Sequence, residues 1–142
     1  TNNSTNYLIF RLPQVVGKST NNNTLVNNLY NKIQSMQTIT VWKGATRNLI
    51  DVEDVVKISN YIIESDYTNN TIINIASKYN VGILQIVREL EKITNKKADI
   101  VIEERKSSYS IDISKTYPVI SKLGISFPQN YYKNVIQKYY SN

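Results

Sequence analysis

Apolar and polar positions along this chain switch between a strand-like alternation and a helical spacing, and each switch marks an element. Tyr7-Leu8-Ile9-Phe10-Arg11-Leu12 is a short apolar run closed by Pro13, which predicts a buried strand. A polar loop around Lys18 to Asn23 follows. Val26, Leu29, Tyr30 and Ile33 then fall at helical spacing, so residues 24–36 are expected to form an amphipathic helix. β-Branched residues return at Thr38 to Trp42, a strand ended by Gly44.

The segment Asn48-Leu49-Ile50 leads into Asp51-Val52-Glu53-Asp54, where carboxylates gather ahead of a helix. Carboxylates there cap free amides and favour the helix dipole. The expected buried face of that helix is Val52, Val55, Val56, Ser59, Ile62 and Ile63. The alternation continues with a strand at Thr71 to Ala76, a helix using Ile83, Ile86, Val87, Leu90 and Ile93, and a strand at Asp99 to Glu103. Within Asp112 to Leu123, Pro118 is expected to delay or break a helix. A last helix presents Tyr132, Val135, Ile136 and Tyr139 on one face. This order predicts an α/β fold.

Composition narrows the chemistry. With 142 residues and 41% hydrophobic side chains, the chain is long enough to bury one ordinary core, so a single domain over residues 1–142 is expected. Cysteine and histidine are both absent, which removes disulfides, Cys/His zinc sites and histidine-based proton transfer. The apolar stretches fall short of the roughly 20 residues that cross a bilayer, and Thr1-Asn2-Asn3-Ser4 has no signal-peptide character. The expectation is a soluble, cytoplasmic protein. A net charge of +6 would draw nucleic acid, anionic membrane or phosphorylated small molecules alike.

A site for anions calls for a guanidinium, whose planar fork donates paired hydrogen bonds to phosphate oxygens. The arginines are Arg11, Arg47, Arg88 and Arg105. Arg88 lies within a helix and reads as solvated, and Arg11 ends a strand, where a structural ion pair is an equal possibility. Arg47 falls in the connection after the Thr38 to Trp42 strand, where binding groups are usually presented. A surface arginine in a loop is the competing reading.

The order of segments resembles the C-terminal part of the NAD-dependent epimerase/dehydratase family, the extended short-chain dehydrogenase/reductases. Leu8-Ile9-Phe10-Arg11-Leu12-Pro13-Gln14-Val15-Val16-Gly17 looks like that family's I-x-R-x-P-x-V-x-G strand and turn. Arg47-Asn48-Leu49-Ile50-Asp51-Val52-Glu53-Asp54-Val55-Val56 is similar to its R-x-F-I-x-V-x-D-V-V segment, the most specific of the set. Ile72-Ile73-Asn74-Ile75-Ala76 resembles its Y-N-I-G strand. Tyr109 to Lys115, with Lys122-Leu123-Gly124 and Phe127-Pro128, looks like its closing D-x-S-K, L-G, F-x-P pattern.

The resemblance implies a substrate-binding lobe of an NAD(P)-dependent nucleotide-sugar epimerase, dehydratase or reductase, from bacterial polysaccharide biosynthesis. Residues 7–17 would join a Rossmann sheet and residues 24–142 would form the substrate lobe. NAD or NADP would be held mainly by the Rossmann half, since no G-x-x-G-x-x-G and no catalytic Tyr-x-x-x-Lys in a strand-helix context stands here. The segment alone is then expected to bind no cofactor and to have no catalytic residue of its own.

Carried over by position, Arg47 would clamp the diphosphate of a nucleotide-diphosphate sugar. Ile39 to Trp42 would run along the base. Asn23 and Thr24 would start a helix near phosphate, Asn74 would stand near the diphosphate, and Gln14 beside the substrate. Arg105 is the counterpart of the arginine opening R-P-G-D, although Lys106, Ser107 and Ser108 replace the rest of that motif. Plainer roles compete: Trp42 as a half-buried packing aromatic, Asn74 as a partner for nearby backbone, Asp54 as a first-turn carboxylate, and Asp112 and Lys115 as anchors of the C-terminal connection. The many tyrosines after residue 108 read as packing and surface.

Two other classes are weighed. Ile73 to Val87 imitates a helix-turn-helix, with Ala76, Val81 and Ile86 near its apolar positions and Ile83 to Thr94 as the helix for a major groove. That DNA-binding reading of residues 71–94 needs residues 71–78 helical, against their β-branched content, and places Glu89 and Glu91 beside Arg88 and Lys92. A non-enzymatic assembly module is the third class. Apolar faces that would meet a Rossmann half lead to an expectation of homo-oligomers or exchanged strands, and nucleic acid and membrane are not expected partners.

Overall fold

A computed structural model describes residues 6–65, 70–105 and 107–141. The expected strands and helices are present with altered bounds, but the first strand, expected to be buried, is half-exposed, with Ile9 and the flanking Tyr7 and Leu12 open to solvent. In chain order they are β1 (Leu8–Arg11), β2 (Gln14–Val16), α1 (Leu25–Gln34), β3 (Ile39–Trp42), β4 (Thr46–Asp51), α2 (Val52–Glu64), β5 (Thr71–Asn74), β6 (Asn80–Gly82), α3 (Ile83–Thr94), β7 (Ile100–Glu103), α4 (Tyr117–Lys122) and α5 (Tyr131–Tyr140). The chain is thus an alternating α/β structure.

The strands pair into three small sheets among the described residues. β1 and β5 are parallel, with Arg11 opposite Asn74. β2 and β4 are parallel, with Gln14 opposite Leu49, and β6 adds antiparallel to the other edge of β4, with Arg47 opposite Val81. β3 and β7 are parallel, with Trp42 opposite Glu103. Parallel pairs need crossovers, and the helices between them supply these.

Strand alternation makes β4 the divider between two cores. Leu49 packs with Val26, Leu29 and Ile33 of α1, Ile86, Val87 and Leu90 of α3, and Val135 and Ile136 of α5. Its neighbour Ile50 faces the other way, against Val55, Ile58 and Ile62 of α2, Ile73 of β5, and Val119 and Ile120 of α4. Both residues are fully buried, and each such side chain contributes about 1.5–3 kcal/mol. A one-residue slip of β4 would exchange the two cores, so its register is strongly specified.

Several expectations are corrected here. The polar Thr46-Arg47-Asn48 run belongs to β4 rather than to a loop. Pro118 starts a helix instead of breaking one, because a proline in the first turn has no amide bond to lose. The buried face of α2 is Val55, Ile58 and Ile62, while Val56 and Ile63 are exposed. Helix α1 stops at Gln34, followed by Met36 at a φ of 54°. The helix-turn-helix reading fails on β5, since Thr71–Asn74 is a strand bonded to β1. The burial of Ala76, Val81 and Ile86 fits either fold and does not rescue it.

Two close fits position the site. Asp51 caps α2, its Oδ1 accepting from the Glu53 amide at 2.9 Å, as the gathered carboxylates suggested. Gly17 lies so near that helix that a Cβ on it would sit 2.7 Å from Cγ1 of Val52. No helix among the described residues is long and apolar enough to cross a membrane.

Candidate functional site

The sequence candidates sort into two groups and one outlier. The first group occupies the corner where β3, β4 and the segment after β7 meet. Arg47 is half-buried on β4, and its Nη1 donates to the carbonyl of Thr46 at 2.8 Å, to Oγ of Ser107 at 3.0 Å and to the Ser107 carbonyl at 3.4 Å. The Thr46 amide donates to that same Ser107 carbonyl at 3.1 Å, which ties the post-β7 segment to β4.

No carboxylate pairs with Arg47 among the described residues. Neutral oxygens therefore fix the guanidinium without cancelling its charge, and the donors beyond Nη1 are left for another acceptor.

Trp42 and Arg105 complete that corner. The Arg105 guanidinium carbon lies 5.6 Å from the centroid of the Trp42 ring, and Nε stands 3.5 Å from Glu103. Trp42 is 37% exposed, so part of the side chain is open to solvent. Arg105 is two residues before Ser107, and Ser107, one of the residues standing in place of the family's R-P-G-D motif, supplies the contact that holds Arg47.

Gln14 and Thr24 form the second group. Both line a cleft of about 160 Å³ with Gly17, Lys18 and Ser19 at the start of α1. Thr24 is the N-cap but its side chain bonds no amide of that helix; its hydroxyl donates back to the Asn21 carbonyl at 3.3 Å. Exposed Asn23 donates its amide to Oδ1 of Asn21 at 2.9 Å. First-turn amides with no side-chain cap leave partial positive charge at this end.

Asn74 stands apart. Its Nδ2 donates to the Asp112 carbonyl at 2.8 Å, and its own carbonyl accepts from Oγ1 of Thr116 at 3.0 Å. The side chain satisfies nearby backbone, the plainer of its two expected roles. Asp112 also anchors its own turn, accepting from the Ser114 amide at 2.9 Å, and this bond holds its carboxyl below the usual range. Arg88 is exposed on α3, as read from the sequence.

Two polar assemblies behind these groups were not legible in the sequence. Asn48, buried beneath Arg47, donates to the Ser77 carbonyl at 2.9 Å and accepts the Ser77 amide and hydroxyl, both at 3.1 Å. It pins β4 to the end of β5. Around Asp51, Lys138 donates to Oδ2 at 2.9 Å and Tyr139 to Oδ1 at 2.6 Å, while Lys138 also pairs with Glu53 at 2.8 Å. Tyr131 accepts the Asp51 amide at 2.9 Å and donates to Asp54 at 2.6 Å.

Burial pushes the Asp51 carboxyl up, but bonds from Lys138, Tyr139 and the Glu53 amide outweigh it and hold the carboxyl low. Burial, then the bond to Asp54, pushes the Tyr131 phenol far up. Burial and then Tyr30 raise Tyr140 to about 12, and its hydroxyl donates to Oδ1 of Asn27. Tyrosines that read as packing and surface thus tie α5 to α1 and α2. A hydroxyl at the edge of an apolar face leaves no period of its own, so no sequence signal marked them.

A sequence model described as the NAD dependent epimerase/dehydratase family matches residues 1–76. No curated protein matches the chain. Among solved structures, UDP-glucuronic acid 4-epimerase from Bacillus cereus, in complex with UDP-glucuronic acid and NAD, superposes with a TM-score of 0.73 at 23% identity, over 94% of this chain and 43% of that one. The dTDP-glucose 4,6-dehydratase of Bacillus anthracis, in complex with NAD, gives a TM-score of 0.68 at 12% identity, covering 92% and 43%. UDP-glucose 4-epimerase from Thermotoga maritima, with UDP-glucose, gives 0.65 at 17%, covering 94% and 46%. This chain therefore spans less than half the length of these relatives, and the likeness establishes a shared fold.

Proposed function

The chain belongs to the NAD dependent epimerase/dehydratase family, and from that premise we propose that it is the substrate-binding, C-terminal region of a nucleotide-sugar epimerase, dehydratase or reductase. Residues 7–17 serve as the strand and turn that join a Rossmann sheet, and residues 24–142 form the substrate lobe. The observation that carries this reading is Arg47, fixed by Thr46 and Ser107 with no carboxylate to neutralise it among the described residues. Its free donors receive the diphosphate of a nucleotide sugar, a geometry that a bidentate guanidinium suits.

Trp42, partly open to solvent and with Arg105 beside it, forms the wall for the base and ribose. Gln14 lines a cleft beside the substrate, and Thr24, which shares that cleft, stands with Asn23 and the amides of α1 near phosphate. Asn74 acts by holding Asp112 in place rather than by touching substrate.

NAD or NADP belongs to this family's chemistry as the hydride carrier. The glycines present do not fit a dinucleotide phosphate turn: Gly17 is packed on Val52, Gly44 and Gly124 are turn residues at φ of 69° and 66°, and Gly82 precedes α3. We place the cofactor mainly on residues outside this segment.

Calorimetric titration with UDP, dTDP, GDP and CDP sugars tests the reading, with duplex DNA titrated over a range of salt as control. Saturable binding of one nucleotide sugar is expected. Sequence-selective DNA binding without any nucleotide-sugar signal would overturn it.

A further inference from the structure

The carboxylates of α3 interleave with cations in the sequence, which makes that helix look unsuited to anions. In the fold both carboxylates are engaged by their own partners. Glu89 is 5% exposed, and its Oε1 takes Lys92 at 2.8 Å and Lys133 of α5 at 3.8 Å. Glu91 turns back as well, its Oε1 accepting the Ala98 amide at 2.9 Å while Oε2 stands 3.6 Å from Lys97.

Between α3 and α5 lies a groove of about 780 Å³ whose lining includes Arg88, Lys92, Lys96, Lys97 and Lys133 together with Glu89 and Glu91, five cations against two carboxylates that are themselves engaged. Arg88 has no acidic partner among the described residues, and Lys96 spends its ammonium on the Gln34 carbonyl, a neutral group. Two ammoniums converge on one carboxylate oxygen, so a positive excess is held in place by a buried acid rather than scattered on flexible stems.

We propose that this groove is a second anion site, separate from the Arg47 corner, which takes a chain of two or three phosphates. A concave site of ligand size, with cations from two helices and the loop after α3, fits a short polyphosphate better than a long duplex, which needs cations spread along a ridge. Arg88 supplies the bidentate fork, Lys92 and Lys133 supply point charges over Glu89, and the ring of Tyr132, 6.0 Å from the Lys133 ammonium, walls one side. The polyphosphate can be inorganic or carried on a nucleotide, since nothing in the lining selects a base.

The test is titration of the whole chain with inorganic tripolyphosphate and, separately, with a nucleoside triphosphate, monitoring folding by thermal melting. Both ligands are expected to bind this groove with similar affinity. Arg88→Gln combined with Lys133→Gln is expected to weaken binding tenfold or more, roughly the loss of a charge-assisted hydrogen bond. Unchanged affinity in the double variant with its fold intact, or binding of the nucleotide alone, would overturn the proposal.

Discussion

The guanidinium of Arg105 sits 5.6 Å from the centre of the Trp42 ring, across strands that pair Trp42 with Glu103. Trp42 is the sole tryptophan of the chain, so its emission reports this corner alone. Arg105→Ala is expected to shift that emission, with a loss of about 0.5–1 kcal/mol for an exposed cation–π pair. A nucleotide sugar that docks against the indole is expected to change the emission saturably. An unaltered spectrum in both experiments would remove Trp42 from the site.

Gly17 and Val52 form the tightest backbone approach beside the second group of candidates. Gly17→Ala forces a methyl against Val52 and is expected to cost about 1–3 kcal/mol, the range for overpacking. Pairing it with Val52→Ala is expected to restore much of the loss, measured by denaturant unfolding. Equal destabilisation in the single and double variants would mean that the glycine serves another purpose.

Asp51 ties α2 to α5, and its carboxyl is held below its ordinary value. A carboxyl lowered in the folded state contributes stability above its unfolded pKa, about 3.9, and loses it as pH falls through the folded value. Asp51→Asn is expected to cost about 1–3 kcal/mol at neutral pH. That difference from wild type should shrink below pH ~4, where the wild-type carboxylate also protonates. A difference that stays constant from neutral to acid pH would refute the role of its charge.

Much of this architecture was legible in the chain. Helices α1, α3 and α5 showed as faces at helical spacing, and β3, β5 and β7 as β-branched runs, because local periodicity encodes which side is buried. Strand β4 was half hidden, since its Thr46-Arg47-Asn48 start is polar and Asn48 is buried by bonds to Ser77 rather than by apolar contact. β6 is too short, at Asn80–Gly82, to show a period.

The site was legible only as a list of residues. That Arg47 meets Ser107, and Trp42 meets Arg105, depends on pairings sixty or so positions apart that no local pattern carries. Glu89 shows the converse error, a carboxylate that reads as surface and is enclosed by two lysines.

Ile9 and Ile72 lie opposite each other on β1 and β5, and both remain exposed, as do Tyr7 and Leu12 nearby. Adjoining apolar residues on a two-stranded sheet favour association. The mass measured by light scattering is expected to rise with concentration and to become constant in Ile9→Lys with Ile72→Lys. Monodisperse monomers of the wild type at high concentration would contradict this.

Arg47 is the central residue of the proposed site. Titrating wild type, Arg47→Lys and Arg47→Ala with the nucleotide sugar that binds tightest measures its role directly. Saturable binding in wild type, weakened about tenfold or more in Arg47→Ala and only partly restored by lysine, is the expected result, because a point charge keeps the attraction and loses the fork. Equal affinity in all three proteins would contradict the claim that this guanidinium holds the diphosphate.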